Sequence, residues 1–202
     1  MIPTYNPPYN SPIENDFAYH FANKYAADNI NMIPQAEVST LCGNFILDFL
    51  LCTSKGQRVG IECDGKEFHD AARDEWRDAL ILGENHVDVI YRVRGSDITY
   101  HIEDILYLLS RLEPDLFSQR GKINLERLAT QEALDVNCDP DESVYMILSY
   151  MDDNFASLIM EARRRIVPNG KRSFLQNIYR YAVTQGGGKL DEVIARYRRS
   201  NR

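Results

Sequence analysis

An acidic residue stands inside an apolar segment, where a carboxylate needs a specific reason. Asp48 interrupts the run 45–51, whose residues of both parities are hydrophobic, and Glu62 lies in the next β-type run, 58–64. A strand with the composition of the first run is predicted to be buried on both faces. An ionised side chain is costly there unless it is paired or binds a metal.

The segment between these runs, residues 53–57, has the composition of a turn and predicts a β-hairpin. A turn centred on Lys55 sets Asp48 opposite Glu62, where Cβ atoms are about 4.5 to 5.5 Å apart. Two carboxylates at that separation repel each other, and a divalent cation between them removes the repulsion. The predicted cofactor is Mg²⁺ or Mn²⁺, with Asp48 and Glu62 as ligands, although a register slip of one residue would separate the two acids.

Further polar residues follow this pair in the sequence. Asp64 shares a strand face with Glu62, and Lys66 follows on the same face if the chain stays extended. His69 comes a few residues later. The alternative is a solvated hairpin end whose acids prevent aggregation, but the mid-strand position of Asp48 argues against it.

Glu14 and Gln35 are candidates with simpler local explanations. Ser11, Pro12 and Glu14 form the pattern of a capped helix start, in which the glutamate closes a capping box. Gln35 is a polar residue directly after a proline. Local evidence leaves Glu14 open between helix capping and the metal site.

These residues must be positioned by a small set of helices and strands. Apolar side chains recur every four residues over 13–25 and predict a first helix. The elements predicted after the hairpin are a helix, a strand and a helix, at residues 69–84, 87–93 and 97–112. This order predicts a three-layer α/β core with a central mixed β-sheet over residues 11–117, after an irregular lead-in over residues 1–10.

Beyond residue 117 the sequence predicts helices and no strand. The predicted helices cover residues 122–134, 141–166, 171–185 and 189–199. They make up an expected helical C-terminal subdomain, residues 118–202. Residues 160–202 carry eleven Lys and Arg against three Asp and Glu, in a chain of net charge −7. This basic region is expected either to contact phosphates or to dock on a second copy or a partner protein.

Basic residues near the acidic pair and in the C-terminal third are the candidates for nucleic-acid binding. Arg73 and Arg77 lie one turn apart on the helix after the hairpin. They either pair with Asp74 and Asp78 in an exposed stripe or contact phosphate. The candidates in the C-terminal third are Arg163, Arg164, Lys171 and Arg172.

One combination of motifs resembles a known enzyme family. Residues 61–69 read Ile-Glu-Cys-Asp-Gly-Lys-Glu-Phe-His, and Ala-Arg-Asp at 72–74 and the strand 89–93 follow. Together with the upstream Asp48-Phe49 they resemble the endonuclease domains related to very-short-patch mismatch-repair nucleases, within the restriction-endonuclease-like PD-(D/E)-x-K superfamily. The likeness covers about residues 11–112.

The resemblance implies a Mg²⁺-dependent nuclease that acts on DNA. It makes Asp48 and Glu62 the metal ligands and Glu14 a third acid, with Gln35 and His69 as neighbouring polar site residues. The implied reaction is hydrolysis of a phosphodiester by a water that the metal orients and acidifies. The residues alone do not distinguish DNA from RNA.

The chain departs from the superfamily pattern at position 64, which is aspartate where the pattern has lysine. The related group shares this departure, and Lys66 or His69 would have to replace the lysine. Asp64, Lys66 or His69 would then position the attacking water or take its proton. The departure keeps open a degenerate nuclease fold that serves as a nucleic-acid or protein interaction module.

Composition also bears on location. The first sixteen residues lack a basic head followed by an apolar run, and no segment reaches the roughly 18 apolar residues of a membrane helix. A soluble, cytoplasmic protein without a membrane partner is therefore expected. The four cysteines form no CxxC pair and are predicted to be reduced thiols.

Overall fold

A computed structural model describes residues 3–65, 70–139, 144–147, 157–165 and 173–200. Its centre is a six-stranded mixed sheet in the order β1-β2-β3-β4-β6-β5. The strands are β1 Asn31–Thr40, β2 Gly43–Cys52, β3 Arg58–Asp64, β4 Val89–Arg94, β5 Val144–Ile147 and β6 Leu158–Arg164. The helices are α1 Pro12–His20, α2 Ala71–Gly83, α3 Gly95–Leu112, α4 Gln119–Leu128, α5 Gln131–Leu134, α6 Ser173–Thr184 and α7 Leu190–Ser200. The protein has the mixed α/β fold that its sequence predicts.

The first three strands form an antiparallel meander. β1 pairs with β2, and β2 pairs with β3. In the turn between β2 and β3, the Gln57 backbone amide donates to the Thr53 hydroxyl at 3.1 Å. Helix α2 then carries the chain to β4, which pairs parallel with β3. This crossover brings the C-terminal ends of β3 and β4 side by side.

Helices pack on both faces of the sheet. On one face, Phe17 of α1 and Ile105 of α3 join the cluster that contains Tyr91 of β4. On the other face, Ile81 of α2 packs in the cluster that contains Leu47 of β2. Each fully buried side chain of this size contributes about 1.5 to 3 kcal/mol of apolar burial. The helical and strand layers thus share two apolar interfaces.

The C-terminal third departs from the predicted all-helical arrangement. The helix predicted over residues 141–166 is wrong, because Val144–Ile147 and Leu158–Arg164 are strands. β6 pairs with β4 on one side and β5 on the other, so it lies inside the sheet. Along the first five residues of β6, buried and half-buried side chains alternate with the two-residue period of a strand. The arginines at its end conceal this period in the sequence.

Two of the predicted C-terminal helices, α6 and α7, are present and pack on α2. Trp76 lies edge-on to Tyr181 and Tyr197, with ring centroids 6.2 and 5.3 Å away. The turn between α6 and α7 contains Gly187, whose φ is +73°. A Cβ at this position would lie 2.3 Å from the Leu41 carbonyl oxygen, so the close approach of the turn to the β1–β2 connection requires glycine.

The described residues contain no helix that is long and apolar enough to cross a membrane. The four cysteines are free thiols, and two of them, Cys42 and Cys63, are buried. Burial raises the pKa of both thiols. These cysteines are therefore held mainly as protonated, unreactive core residues.

Candidate metal centre

The β2–β3 hairpin brings Asp48 close to Glu62. Phe49 and Ile61 are the last paired residues, Asp48 and Glu62 are the next residues on the two strands, and the charge of Asp48 acts on Glu62. Asp48 Oδ2 accepts a hydrogen bond from the Cys63 backbone amide at 2.7 Å, which holds this carboxylate at the end of the paired segment. The register predicted for the hairpin is confirmed over the paired residues, 49–52 and 58–61.

The strands around this pair interrupt their regular alternation. Leu47 and Leu50 contact the cluster on the α2 face, whereas Phe49 belongs to the cluster on the opposite face. The pairing of β1 with β2 skips Gln35 and Asp48, and Gln35 has a positive φ of 48°. Such irregularities redirect side chains and are common beside active sites. The acidic pair thus lies at a kink in the sheet.

The prediction that β2 is buried on both faces is only partly right. Leu47, Phe49 and Leu51 are buried, whereas Asp48 is half-buried and Ile46 is 51% exposed. The kink opens this part of the strand to solvent. Asp48 therefore keeps the access that a metal-bound water or a substrate needs.

Glu14 contributes to the same site from the start of α1. Its carboxylate accepts hydrogen bonds from the Ser11 hydroxyl at 2.8 Å and from the Gln35 side-chain amide at 3.0 Å. Ser11 in turn accepts a hydrogen bond from the Glu14 backbone amide and caps the helix, as predicted. Glu14 is 5% exposed, and its charge acts on Asp48. The glutamate therefore caps α1 and also belongs to the acidic site.

Burial raises the pKa values of both opposed acids. For Asp48 burial is the main cause, and the charge of Glu14 adds to it. Burial raises the pKa of Glu62 from 4.5 to about 8, with Arg77 opposing the rise and Asp48 adding to it. Ionising both acids therefore costs free energy, which a bound cation offsets.

Among the described residues, Arg77 of α2 is the cation that forms an ion pair with Glu62. Its guanidinium forms an ion pair with Glu62 Oε1 and a long hydrogen bond, 3.4 Å, to the Ile46 carbonyl oxygen. Glu62 Oε2 and Asp48 Oδ1 accept no hydrogen bond from any residue that the structure describes. Two carboxylate oxygens thus remain for a cation while Arg77 stays in place.

A buried ion-pair network adjoins this site, with the fully buried Asp78 at its centre. Arg92 of β4 donates to the two oxygens of Asp78 at 3.0 and 2.9 Å, and to Asp64 at 3.2 Å. Arg163 of β6 donates to Asp78 at 2.6 Å. Burial lowers the pKa of Arg92, but its acidic partners outweigh burial and raise it overall. The network connects α2 to β3, β4 and β6.

Asp78 and Arg92 are functional candidates that sequence interpretation missed. The prediction that Asp78 belongs to an exposed stripe is wrong, because it is 0% exposed and its partners lie on β4 and β6. Arg92 interrupts the apolar strand 89–93 in the way that Asp48 interrupts 45–51. A charge inside a buried strand singled out Asp48, and the same criterion identifies Arg92.

The predicted nucleic-acid-binding residues that the structure describes take part in ion pairs within the chain. Besides Arg77 and Arg163, Arg73 pairs with Asp191 of α7 at 3.1 Å. Arg164 pairs with Glu113 at 2.6 Å. The other predicted residues, Lys66, His69, Lys171 and Arg172, lie outside the described residues.

The donor set suits a hard cation that takes few protein ligands. Within the described ranges, no group of three or more His, Cys, Asp and Glu side chains is arranged to hold a metal ion. Asp48 and Glu62 offer two carboxylates. Mg²⁺ commonly binds one or two carboxylates and completes its shell with waters and substrate phosphate oxygens. The site therefore fits a cation whose coordination the substrate completes.

The raised pKa of Glu62 predicts a pH dependence of folding stability. Because the folded-state pKa is about 8 and the ordinary value is 4.5, the folded protein keeps a proton in this window that the unfolded chain has lost. Stability of the metal-free protein therefore falls as pH rises through the window. Glutamine cannot ionise, so Glu62→Gln removes this loss of stability. The stabilising effect of the substitution on the metal-free protein should therefore grow between about pH 5 and pH 8, by up to about 1.4 kcal/mol per pH unit.

Chemical denaturation in EDTA at both pH values measures this difference. Glu37→Gln is the matched control because Glu37 is exposed on neighbouring β1. The control should change the free energy of unfolding by a similarly small amount at both pH values. A Glu62→Gln effect that is the same at pH 5 and pH 8 contradicts the raised pKa.

The acidic pair, the kink and the neighbouring ion pairs all derive from the sequence and geometry of this chain. Comparisons of the chain with protein-family models, with curated proteins and with solved structures found no match in any of the three.

Proposed function

We propose that the protein is a metal-dependent nuclease that hydrolyses phosphodiester bonds of nucleic acid, with DNA as the substrate. The observation that carries the proposal is the proximity of Asp48 and Glu62 beside a kink in the sheet where Asp48 is half-buried. Asp48 and Glu62 would hold a divalent cation, which would offset their negative charge and attract phosphate oxygens of a substrate. The sequence resemblance to very-short-patch-repair-like endonucleases supports the same activity.

We propose a restriction-endonuclease-like core for residues 11–117. The order of elements supports it, because a helix, three antiparallel strands, a helix and a parallel strand follow one another. The resemblance implies the same order. The two opposed acids come from the second and third of these strands.

Bound Mg²⁺ or Mn²⁺ supplies an acidified water and offsets negative charge that develops on the phosphate. The protein's own residues hold and orient the site. The Cys63 amide fixes Asp48, and Gln35 fixes Glu14. Asp64, held by Arg92, follows Glu62 on the same strand face and is placed to accept a proton from a nearby water.

We propose that Arg77 releases Glu62 and contacts a phosphate of the substrate when substrate binds. In the metal-free chain it donates a hydrogen bond to Glu62 Oε1, while its buried Nε has no hydrogen-bond partner among the described residues. A guanidinium with one unsatisfied donor gains from a ligand that accepts two parallel hydrogen bonds. A phosphate offers that geometry.

A second function is a catalytically inactive fold that binds nucleic acid or protein. One observation favours it, because arginines neutralise the acids of this site. Asp64 occupies the position of the superfamily lysine and pairs with Arg92, and Arg77 pairs with Glu62. In this arrangement the basic C-terminal helices would dock a nucleic acid, a second copy or a partner protein.

A cleavage assay separates the two functions. The full chain is incubated with supercoiled plasmid, single-stranded DNA and RNA, in Mg²⁺, Mn²⁺ or EDTA. Cleavage in Mg²⁺ or Mn²⁺ that EDTA and Glu62→Gln abolish, and that Glu37→Gln leaves unchanged, supports the nuclease. Cleavage in EDTA, or in Glu62→Gln, contradicts the assigned metal centre. No cleavage with either metal, together with metal-independent gel shifts, supports the binding module instead.

A further inference from the structure

We propose that a cleft distant in sequence from the acidic pair binds phosphate groups of an anionic ligand. The chain continues α1 with a π-helical segment, Phe21–Tyr25, and this segment faces α4. Between them lies a cleft of about 510 Å³, here called the α4 cleft. Its lining residues are Asn23, Lys24, Tyr25, Arg120, Asn124, Arg127 and Leu128.

The charged residues of the α4 cleft are all basic. No carboxylate is among its lining residues, although the chain as a whole carries 30 Asp and Glu against 23 Lys and Arg. Lys24, Arg120 and Arg127 form no ion pair with any acid in the described part of the chain. The nearby Glu103 lies 4.0 Å from His20 Nε2 and outside the lining. Lys24 Nζ also lies 5.3 Å from the centroid of the Tyr19 ring, a contact that leaves its positive charge in place. Three like charges converge here, and an anion would neutralise them.

The cleft has a fixed shape because α4 approaches the π-helical segment very closely. A Cβ on Gly121 would lie 2.3 Å from the Tyr25 carbonyl oxygen, so only glycine permits this contact. The same oxygen accepts hydrogen bonds from the Ser118 amide at 2.9 Å and the Ser118 hydroxyl at 3.3 Å. Tyr25 and Leu125 are buried beneath the contact. The walls that carry the basic residues are therefore held in place by the core.

The two walls offer donors of complementary kinds. On α4, the positions 120, 124 and 127 share one helix face by their spacing, and the π-helical turn presents Asn23 and Lys24 opposite them. Arginine guanidinium groups bind phosphate in a bidentate manner, lysine adds a point charge and the asparagine amides add neutral donors. π-helical turns inside helices are uncommon and are frequent at functional sites.

The size of the α4 cleft indicates more than one phosphate group. Ligand sites in proteins typically measure about 300 to 1,000 Å³, and this cleft falls within that range. The shared chemistry is a phosphate-bearing ligand, either the backbone of a nucleic acid or a small phosphorylated compound. The inference uses none of the residues of the metal centre, so the two proposals fail or hold separately.

Binding to a fluorescein-labelled single-stranded oligonucleotide, measured by anisotropy in EDTA with the full chain, tests the cleft. The double variant Arg120→Gln/Arg127→Gln should weaken binding about tenfold or more and reduce the slope of log K against log salt by about 1.4, since each lost phosphate contact changes it by about 0.7. Lys122→Gln is the matched control, because Lys122 belongs to α4 but not to the lining. The control should bind within about twofold of the wild type.

Inorganic pyrophosphate distinguishes the two sources of phosphate. If the oligonucleotide loses affinity in the double variant, the ligand is a nucleic-acid backbone. If only the pyrophosphate-induced rise in Tm is lost, the ligand is a small phosphorylated compound. Unchanged binding of both probes overturns the proposal, as does an equal loss in Lys122→Gln. Both substituted arginines are exposed, and Lys24→Gln provides a second variant should the double variant unfold.

Discussion

Asp48→Asn is expected to lower the Mg²⁺-dependent cleavage rate by about 10³-fold while making the metal-free protein more stable. Asparagine preserves the shape of the side chain but carries no charge to hold a cation. Stability rises because the substitution removes a carboxylate whose ionised form is disfavoured by burial and by the charge of Glu14, the two conditions that raise the pKa of Asp48. A loss of activity with a gain in stability is typical of a site whose charges serve function.

Single-turnover cleavage rates, and Tm measured in EDTA and in Mg²⁺, test this expectation. Mg²⁺ should raise the Tm of the wild type and leave that of Asp48→Asn unchanged, because only the wild type keeps both carboxylates of the proposed metal site. Asp28→Asn, an exposed acid in the loop before β1, is the control and should match the wild type. A variant that cleaves normally and is less stable would assign Asp48 a purely structural role.

Asp78→Asn is expected to reduce the free energy of unfolding by about 3 to 5 kcal/mol. Asp78 is 0% exposed and accepts hydrogen bonds from Arg92 and Arg163. The substitution leaves the guanidinium groups of Arg92 and Arg163 without the negative charge that offsets the free-energy cost of burying them. Arg92 is only 6% exposed. Removal of one partner of a buried ion pair therefore destabilises the folded state strongly.

Denaturant titration measures this loss through the midpoint at an unchanged m-value. Asp28→Asn is the control, because Asp28 is an exposed acid in the loop before β1, outside the network. The control should cost less than about 1 kcal/mol. Equal losses in the two variants would contradict the central position of Asp78 in the network.

Local patterns in the sequence predicted the part of the fold that lies close together along the chain. The turn residues at 53–57 and the two apolar runs fixed the pairing of β2 with β3, and with it the opposition of Asp48 and Glu62. The helix start at Ser11 followed from capping chemistry. Each of these features depends on contacts between residues a few positions apart, for which residue type carries direct information.

The features that sequence interpretation missed depend on pairing between distant segments. β6 is a strand because β4 offers it an open edge, a condition that residues 158–164 do not encode by themselves. Asp78 looks like a surface acid on α2 until β4 and β6 bring Arg92 and Arg163 to it. The half-burial of Asp48 likewise follows from the kink shared with β1.

The position of β6 between β4 and β5 affects the order of events during synthesis of the chain. A ribosome releases Asp48, Glu62 and Asp78 well before Arg163, which completes the ion pairs of Asp78. Until then the nascent chain exposes β4 as an unpaired edge, which favours association with other chains. The strand order therefore makes completion of the ion-pair network around Asp78 a late step of translation, and a ribosome-bound fragment that ends after α3 would carry Asp48, Glu62 and Asp78 without a finished sheet.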